Sequence, residues 1–145
     1  MNAGKTFVYS IESIGELVKT LFLIYPKFKK WALYGPMGSG KTTLIKSLSK
    51  MLGSLDEGSS PTFAIANVYK TNSDYTIYHL DLFRLKSSRE AFDAGIYEII
   101  HSDKSYCFVE WPELIEAWMD DQWLRLEIAN LDDQSRIIKV FSVGD

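Results

Sequence analysis

Apolar residues recur along this chain at two periods, and the switches between them outline its elements. Thr6 to Ser10 alternates weakly, as a short strand does. Ile14, Leu17, Val18, Leu21, Phe22 and Tyr25 then fall on one helical face. Ser13-x-x-Glu16 reads as a capping box at the start of that helix, and Pro26 ends it. Trp31 to Tyr34 is a continuous apolar strand, and Leu44, Ile45, Leu48, Met51 and Leu52 mark a second amphipathic helix. Gly53 to Ser60 is polar and aperiodic, which predicts a loop. Thr62 to Tyr69 and Tyr75 to Leu82 read as strands. Ser87-x-x-Glu90 caps a short helix that Gly95 interrupts.

The second half follows the same logic. Ser105 to Glu110 is almost wholly apolar, as a strand buried on both faces must be. Pro112 suits the first position of a helix running through Met119, and Trp111 before it is expected to be extended. Leu124, Leu126 and Ile128 alternate with Arg125 and Glu127, and Arg136 to Ser142 returns as a hairpin partner after the turn at Asn130 to Gln134. The order of elements predicts one α/β domain over residues 1–145, a P-loop NTPase fold with a mainly parallel central sheet flanked by helices. An antiparallel C-terminal hairpin closes one edge.

Composition narrows the class. A 46% hydrophobic and 14% aromatic content is that of a globular chain. No apolar run approaches the length of a membrane span, and MNAGKTFVYS lacks the form of a signal peptide, so a cytoplasmic protein is expected. The single Cys107 lies in an apolar run and reads as a buried thiol, which fits a reducing compartment. His79 and His101 have no metal-ligand spacing with each other or with Cys107. A net charge of −3 argues against a free-standing nucleic-acid binder. The cluster Lys27, Lys29 and Lys30 reads as a solvated strand entry, with docking to RNA as the alternative.

Chemistry concentrates between Trp31 and Met51. Gly35-x-x-x-x-Gly40-Lys41-Thr42 is the full phosphate-binding pattern, set between a strand and a helix as it must be to work. The glycines let several N–H groups converge on one phosphate, and the helix N-terminus adds its field. Lys41 supplies a mobile cation and Thr42 a hydroxyl ligand for Mg2+. Gly4-Lys5-Thr6 repeats three letters of the pattern without the preceding glycine and is a decoy. Asp81 and Glu110 each end an apolar strand, and either could be the acid on the metal side, with Glu110 preferred because its run is more continuous. Asp81 is then the group that orients water near the γ-phosphate. Thr62, in Ser-Pro-Thr-Phe after the polar loop, is placed like a switch threonine. The four arginines Arg84, Arg89, Arg125 and Arg136 lie in no glycine-flanked lid, so unaided hydrolysis should be slow. Trp111 suggests stacking, whereas Trp31, Trp118 and Trp123 are assigned to packing. From the residues alone, a small P-loop kinase acting on a nucleoside or metabolite and a nucleotide-gated binding module stay open beside an ATPase.

Four separated segments, GPMGSGKTT, SPTFAIANVY, YHLDLFRL and VEWPE, occur in an order and spacing that resembles the TsaE family over nearly the whole chain. The resemblance implies a Mg2+-dependent ATPase required for N6-threonylcarbamoyladenosine at position 37 of tRNA. Such a protein works with TsaD and TsaB, meets tRNA only through that complex, and does not transfer the group itself. It also implies that Gly35, Gly38, Ser39, Gly40, Lys41, Thr42 and Thr43 surround the phosphates of ATP and that Thr42 and Glu110 hold Mg2+. Asp81 falls at the family's catalytic or nucleotide-contacting aspartate, Thr62 in its switch-like loop and Trp111 beside the metal acid. Glu113, Glu12 and Arg136 correspond to further nucleotide contacts. Pro36, Met37 and Ser39 replace residues common in family loops without removing a required glycine, and Leu85 to Tyr97 departs from the family in detail.

Overall fold

The apolar runs assemble into a seven-stranded sheet in the computed structural model, which describes residues 4–55 and 65–142. In chain order the elements are β1 (Lys5–Ser10), α1 (Ile14–Ile24), β2 (Lys30–Tyr34), α2 (Lys41–Met51), β3 (Ala66–Lys70), β4 (Thr76–Asp81), α3 (Ser88–Asp93), α4 (Ile96–Ile100), β5 (Ser105–Glu110), a 3-10 segment (Pro112–Trp118), β6 (Trp123–Asn130) and β7 (Ser135–Ser142). The strands lie in the order β1-β7-β6-β2-β5-β4-β3.

Both faces of the sheet are covered, which explains why its central strands are apolar throughout. Along β2, Trp31 and Leu33 point to one face and join a core with Leu17, Val18 and Leu21 of α1 and Leu44, Ile45 and Leu48 of α2. Ala32 points to the other, where Leu80, Cys107, Val109 and Ile115 pack with Ala91, Ile96 and Ile100 of the short helices. Trp31 and Trp123 are fully enclosed, as their assignment to packing requires. Ser87 caps α3 as expected, its hydroxyl accepting the Glu90 N–H at 3.1 Å.

The expected mainly parallel sheet is instead mixed. The pairings β2–β5, β2–β6 and β4–β5 are parallel, whereas β1–β7, β6–β7 and β3–β4 are antiparallel. The C-terminal hairpin forms, but it does not close the edge. β1 pairs outside β7, matching Lys5 with Val140 and Ser10 with Ser135, and satisfies backbone groups the hairpin would otherwise leave open. Local corrections follow similar lines. The Ser13 hydroxyl accepts the Ser10 N–H at 2.9 Å and gives α1 no side-chain cap. The segment after Pro112 winds as a 3-10 helix rather than an α-helix. Trp111 is left-handed, at φ 56 and ψ 58, not extended.

Cys107 is enclosed by this packing, and burial pushes its thiol up to about 12, with Lys30 partly opposing the shift. At pH 8 it is held as the unreactive thiol. An aromatic disulfide reagent should therefore leave the folded protein unmodified over hours and label Cys107 within minutes in guanidinium; rapid labelling of native protein would contradict this packing.

Candidate functional site

Strands β2, β4 and β5 run parallel, so their C-terminal tips share one edge of the sheet. Asp81 is paired with Glu110, and Leu33 with Glu110 on the other side. Past Tyr34 the chain enters the glycine loop and turns into α2. Gly35 allows this because a Cβ there would lie 2.6 Å from the Ile128 carbonyl oxygen and 2.8 Å from Ser39 Oγ. Gly40, at φ 95, sets the left-handed bend from which α2 starts, and the Leu44 N–H already bonds its carbonyl at 3.0 Å. Sequence thus dictates a tight loop whose amides precede a helix N-terminus.

Three side chains converge beside that loop. Lys41 is 5% exposed; its ammonium donates to the Gly35 carbonyl and lies 3.4 Å from the centroid of the Trp111 ring. Burial pulls the Lys41 pKa down, opposed by the negative charges of Glu110, Glu113 and Asp81. Thr42 Oγ1 lies 3.0 and 2.8 Å from the two carboxylate oxygens of Glu110, to which it donates. Glu110 is itself 4% exposed, and its Oε2 also accepts from His79 Nε2 at 2.6 Å. Asp81 stands at the tip of β4 and accepts the Phe83 N–H at 3.1 Å.

These groups line a cleft of about 370 Å³ bounded by the loop from Met37 to Thr43, by Asp81, Phe83, Glu110 and Trp111, and by Ile11 and Arg136. Trp111 holds its place through its unusual backbone, which costs on the order of 1–2 kcal/mol, and through a ring contact with Phe83 at 5.0 Å. Arg136 enters from β7, within 3.9 Å of where a Gly40 Cβ would stand, and its buried Nε has no partner among the described residues. The β1 pairing makes β7 an inner strand, and Arg136, which the resemblance offers as a nucleotide contact, lines the cleft. Such an arrangement can hold an anion against amides, a lysine and an arginine, beside a hydroxyl–carboxylate pair.

Most sequence-expected residues meet here, but not all. Glu113 is exposed just after Trp111 and acts on Lys41 through its charge. Glu12 is exposed in the turn after β1 and is not among the cleft-lining residues, although its neighbour Ile11 is. Thr62 lies outside the described residues. His79 was not anticipated. Its signal was the spacing His79-x-Asp81 in a strand, which puts both side chains on one face.

Oxygen chemistry at the site fits Mg2+. Among the described residues no group of three His, Cys, Asp or Glu side chains could cage a metal. One hydroxyl and one carboxylate beside a phosphate-sized cradle are the sparse, hard donor set that Mg2+ takes together with phosphates and water.

Comparison with known proteins gives a consistent result. The family model described as threonylcarbamoyl adenosine biosynthesis protein TsaE matches residues 2–138. The tRNA threonylcarbamoyladenosine biosynthesis protein TsaE of Treponema pallidum is 33% identical over 108 residues, 74% of this chain and 78% of that protein. Its namesake in Bacillus subtilis is 34% identical over 113 residues, 78% and 69% of the two chains. The crystal structure of Bacillus subtilis YdiB has the same fold, with a TM-score of 0.70 at 24% identity, covering 99% of this chain and 90% of that one.

Two loop glycines should respond differently to alanine. Gly40→Ala meets only an ordinary contact, Arg136 Nε at 3.9 Å, and its cost comes chiefly from the left-handed backbone, about 1–2 kcal/mol. Gly35→Ala must also displace the Ile128 backbone and should cost clearly more. Urea denaturation of both variants checks this, and equal midpoints would contradict the loop geometry.

Proposed function

The chain belongs to the TsaE family, and from that premise we propose that it is a Mg2+-dependent ATPase serving the synthesis of N6-threonylcarbamoyladenosine in tRNA. On this reading one domain, residues 1–145, binds ATP in the cleft and works in the cytoplasm with TsaD and TsaB. The tRNA is met through that complex. No described helix is long and apolar enough to cross a membrane.

One observation carries the proposal: the Thr42 hydroxyl, in the first turn of α2, bonds the carboxylate at the tip of β5. A hydroxyl on the phosphate-binding helix joined to a strand-end acid is what holding Mg2+ against a phosphate chain requires. A bound Mg2+ would neutralise charge on the β- and γ-phosphates, with Thr42 and Glu110 as its protein partners. The loop amides from Gly38 to Thr43 donate to phosphate oxygens, and Gly35 shapes the turn. Lys41 exchanges the Gly35 carbonyl and the Trp111 face for the phosphates. That exchange is favoured because its buried ammonium is only partly compensated where it lies.

Asp81 orients the attacking water beside Glu110, and the Phe83 N–H fixes its carboxylate. Arg136 contributes positive charge from beside Gly40. Trp111 shields Lys41 and the metal side from water, while Glu113 adds its charge beside Lys41. Because Arg136 is the one arginine lining the cleft among the described residues, and no arginine of the sequence lies in a glycine-flanked lid, turnover alone is slow and a partner completes the site.

Phosphate release from Mg2+-ATP, measured with and without TsaD and TsaB, tests the proposal. The rate should rise in their presence. Lys41→Ala should weaken ATP binding by about 2 kcal/mol, roughly thirtyfold. Equal rates with and without partners, or transfer of phosphate to a metabolite instead of water, would refute the reading.

A further inference from the structure

We propose that His79 is a positioning residue that fixes the rotation of the Glu110 carboxylate, and thereby which of its oxygens is offered to Mg2+. The inference rests on the ATPase reading above and deepens it. Thr42 cannot set that rotation alone. Its single hydroxyl hydrogen faces two carboxylate oxygens at nearly equal distance, 3.0 and 2.8 Å. The imidazole breaks the tie, since Nε2 reaches Oε2 alone, at 2.6 Å. A carboxylate oxygen accepts, so Nε2 carries the hydrogen. Oε2 is thereby committed to the imidazole, and Oε1 is the oxygen left with lone pairs to give.

Sheet register makes the contact possible. His79 and Asp81 alternate onto one face of β4, and Asp81 is paired with Glu110 on β5. The Glu110 side chain leans back one step along β4 to His79, while Asp81 stays at the strand tip. One face of one strand therefore supplies both the water-side acid and the support of the metal-side acid.

The ring is ill suited to mere filling. His79 is 3% exposed, packed against Tyr69 with ring centroids 6.5 Å apart, and its buried Nδ1 has no partner among the described residues. An unsatisfied buried nitrogen is destabilising. Among the described residues the one polar contact of the ring is the Nε2 hydrogen bond to Glu110. Outer partners of this kind govern metal affinity more than fold.

The test uses the full chain, ADP and Mn2+ as a spectroscopic stand-in for Mg2+. Mn2+ binding to the ADP complex is followed by electron paramagnetic resonance, and ADP affinity is measured separately in EDTA. His79→Leu should weaken Mn2+ binding about 10–100-fold and leave the metal-free ADP affinity unchanged. His79→Gln, which can return an amide donor near the Nε2 position, should recover most of the loss. Wild-type Mn2+ affinity in His79→Leu, or an equal loss of ADP affinity in EDTA, would overturn the inference alone. Wild-type protein that bound neither ADP nor Mn2+ would instead overturn the ATPase reading, and this inference with it.

Discussion

The structure turns on a hydrogen bond between the first turn of α2 and the tip of β5, from Thr42 to Glu110. It ties the helix that follows the glycine loop to a central strand, and nearly everything else positions those two ends. The parallel trio β2, β4 and β5 brings Tyr34, Asp81 and Glu110 to one edge. The enclosed core of Trp31, Leu33 and Leu44 keeps α2 pressed on the sheet, so its N-terminus cannot drift from the acids. A buried carboxylate is costly unless donors meet it, and here a hydroxyl and an imidazole do so.

A second constraint acts on Lys41. Its ammonium is buried between the Gly35 carbonyl and the Trp111 ring, a cation–π contact that needs the indole face turned inward. The left-handed backbone at Trp111 provides that turn just before Pro112. Strained residues persist where their surroundings over-determine them, commonly at functional sites. Here Phe83 on one side and Lys41 on the other fix the ring.

Local periodicity made most elements legible. The continuous apolar run of β5 announced a strand covered on both faces, and the glycine pattern located Lys41 and Thr42. What periodicity does not encode is long-range pairing. Nothing in the sequence of β1 names β7 as its partner, so the mixed character of the sheet was out of reach, and the family resemblance rather than periodicity pointed to Arg136. His79 escaped for a related reason. Its carboxylate partner is 31 residues away, and only the β4–β5 register brings them together. The Trp111 conformation ran against the usual preference of a residue before proline, because a tertiary contact outweighed a local one.

On the ATPase reading Thr42 and Glu110 act as one unit toward Mg2+, and a double-mutant cycle measures that directly. Thr42→Val, Glu110→Gln and the double variant are compared in the Mg2+-dependent part of ATP affinity. The expected coupling energy is about 1 kcal/mol or more, with the second substitution costing much less than the first. Strictly additive losses would contradict it.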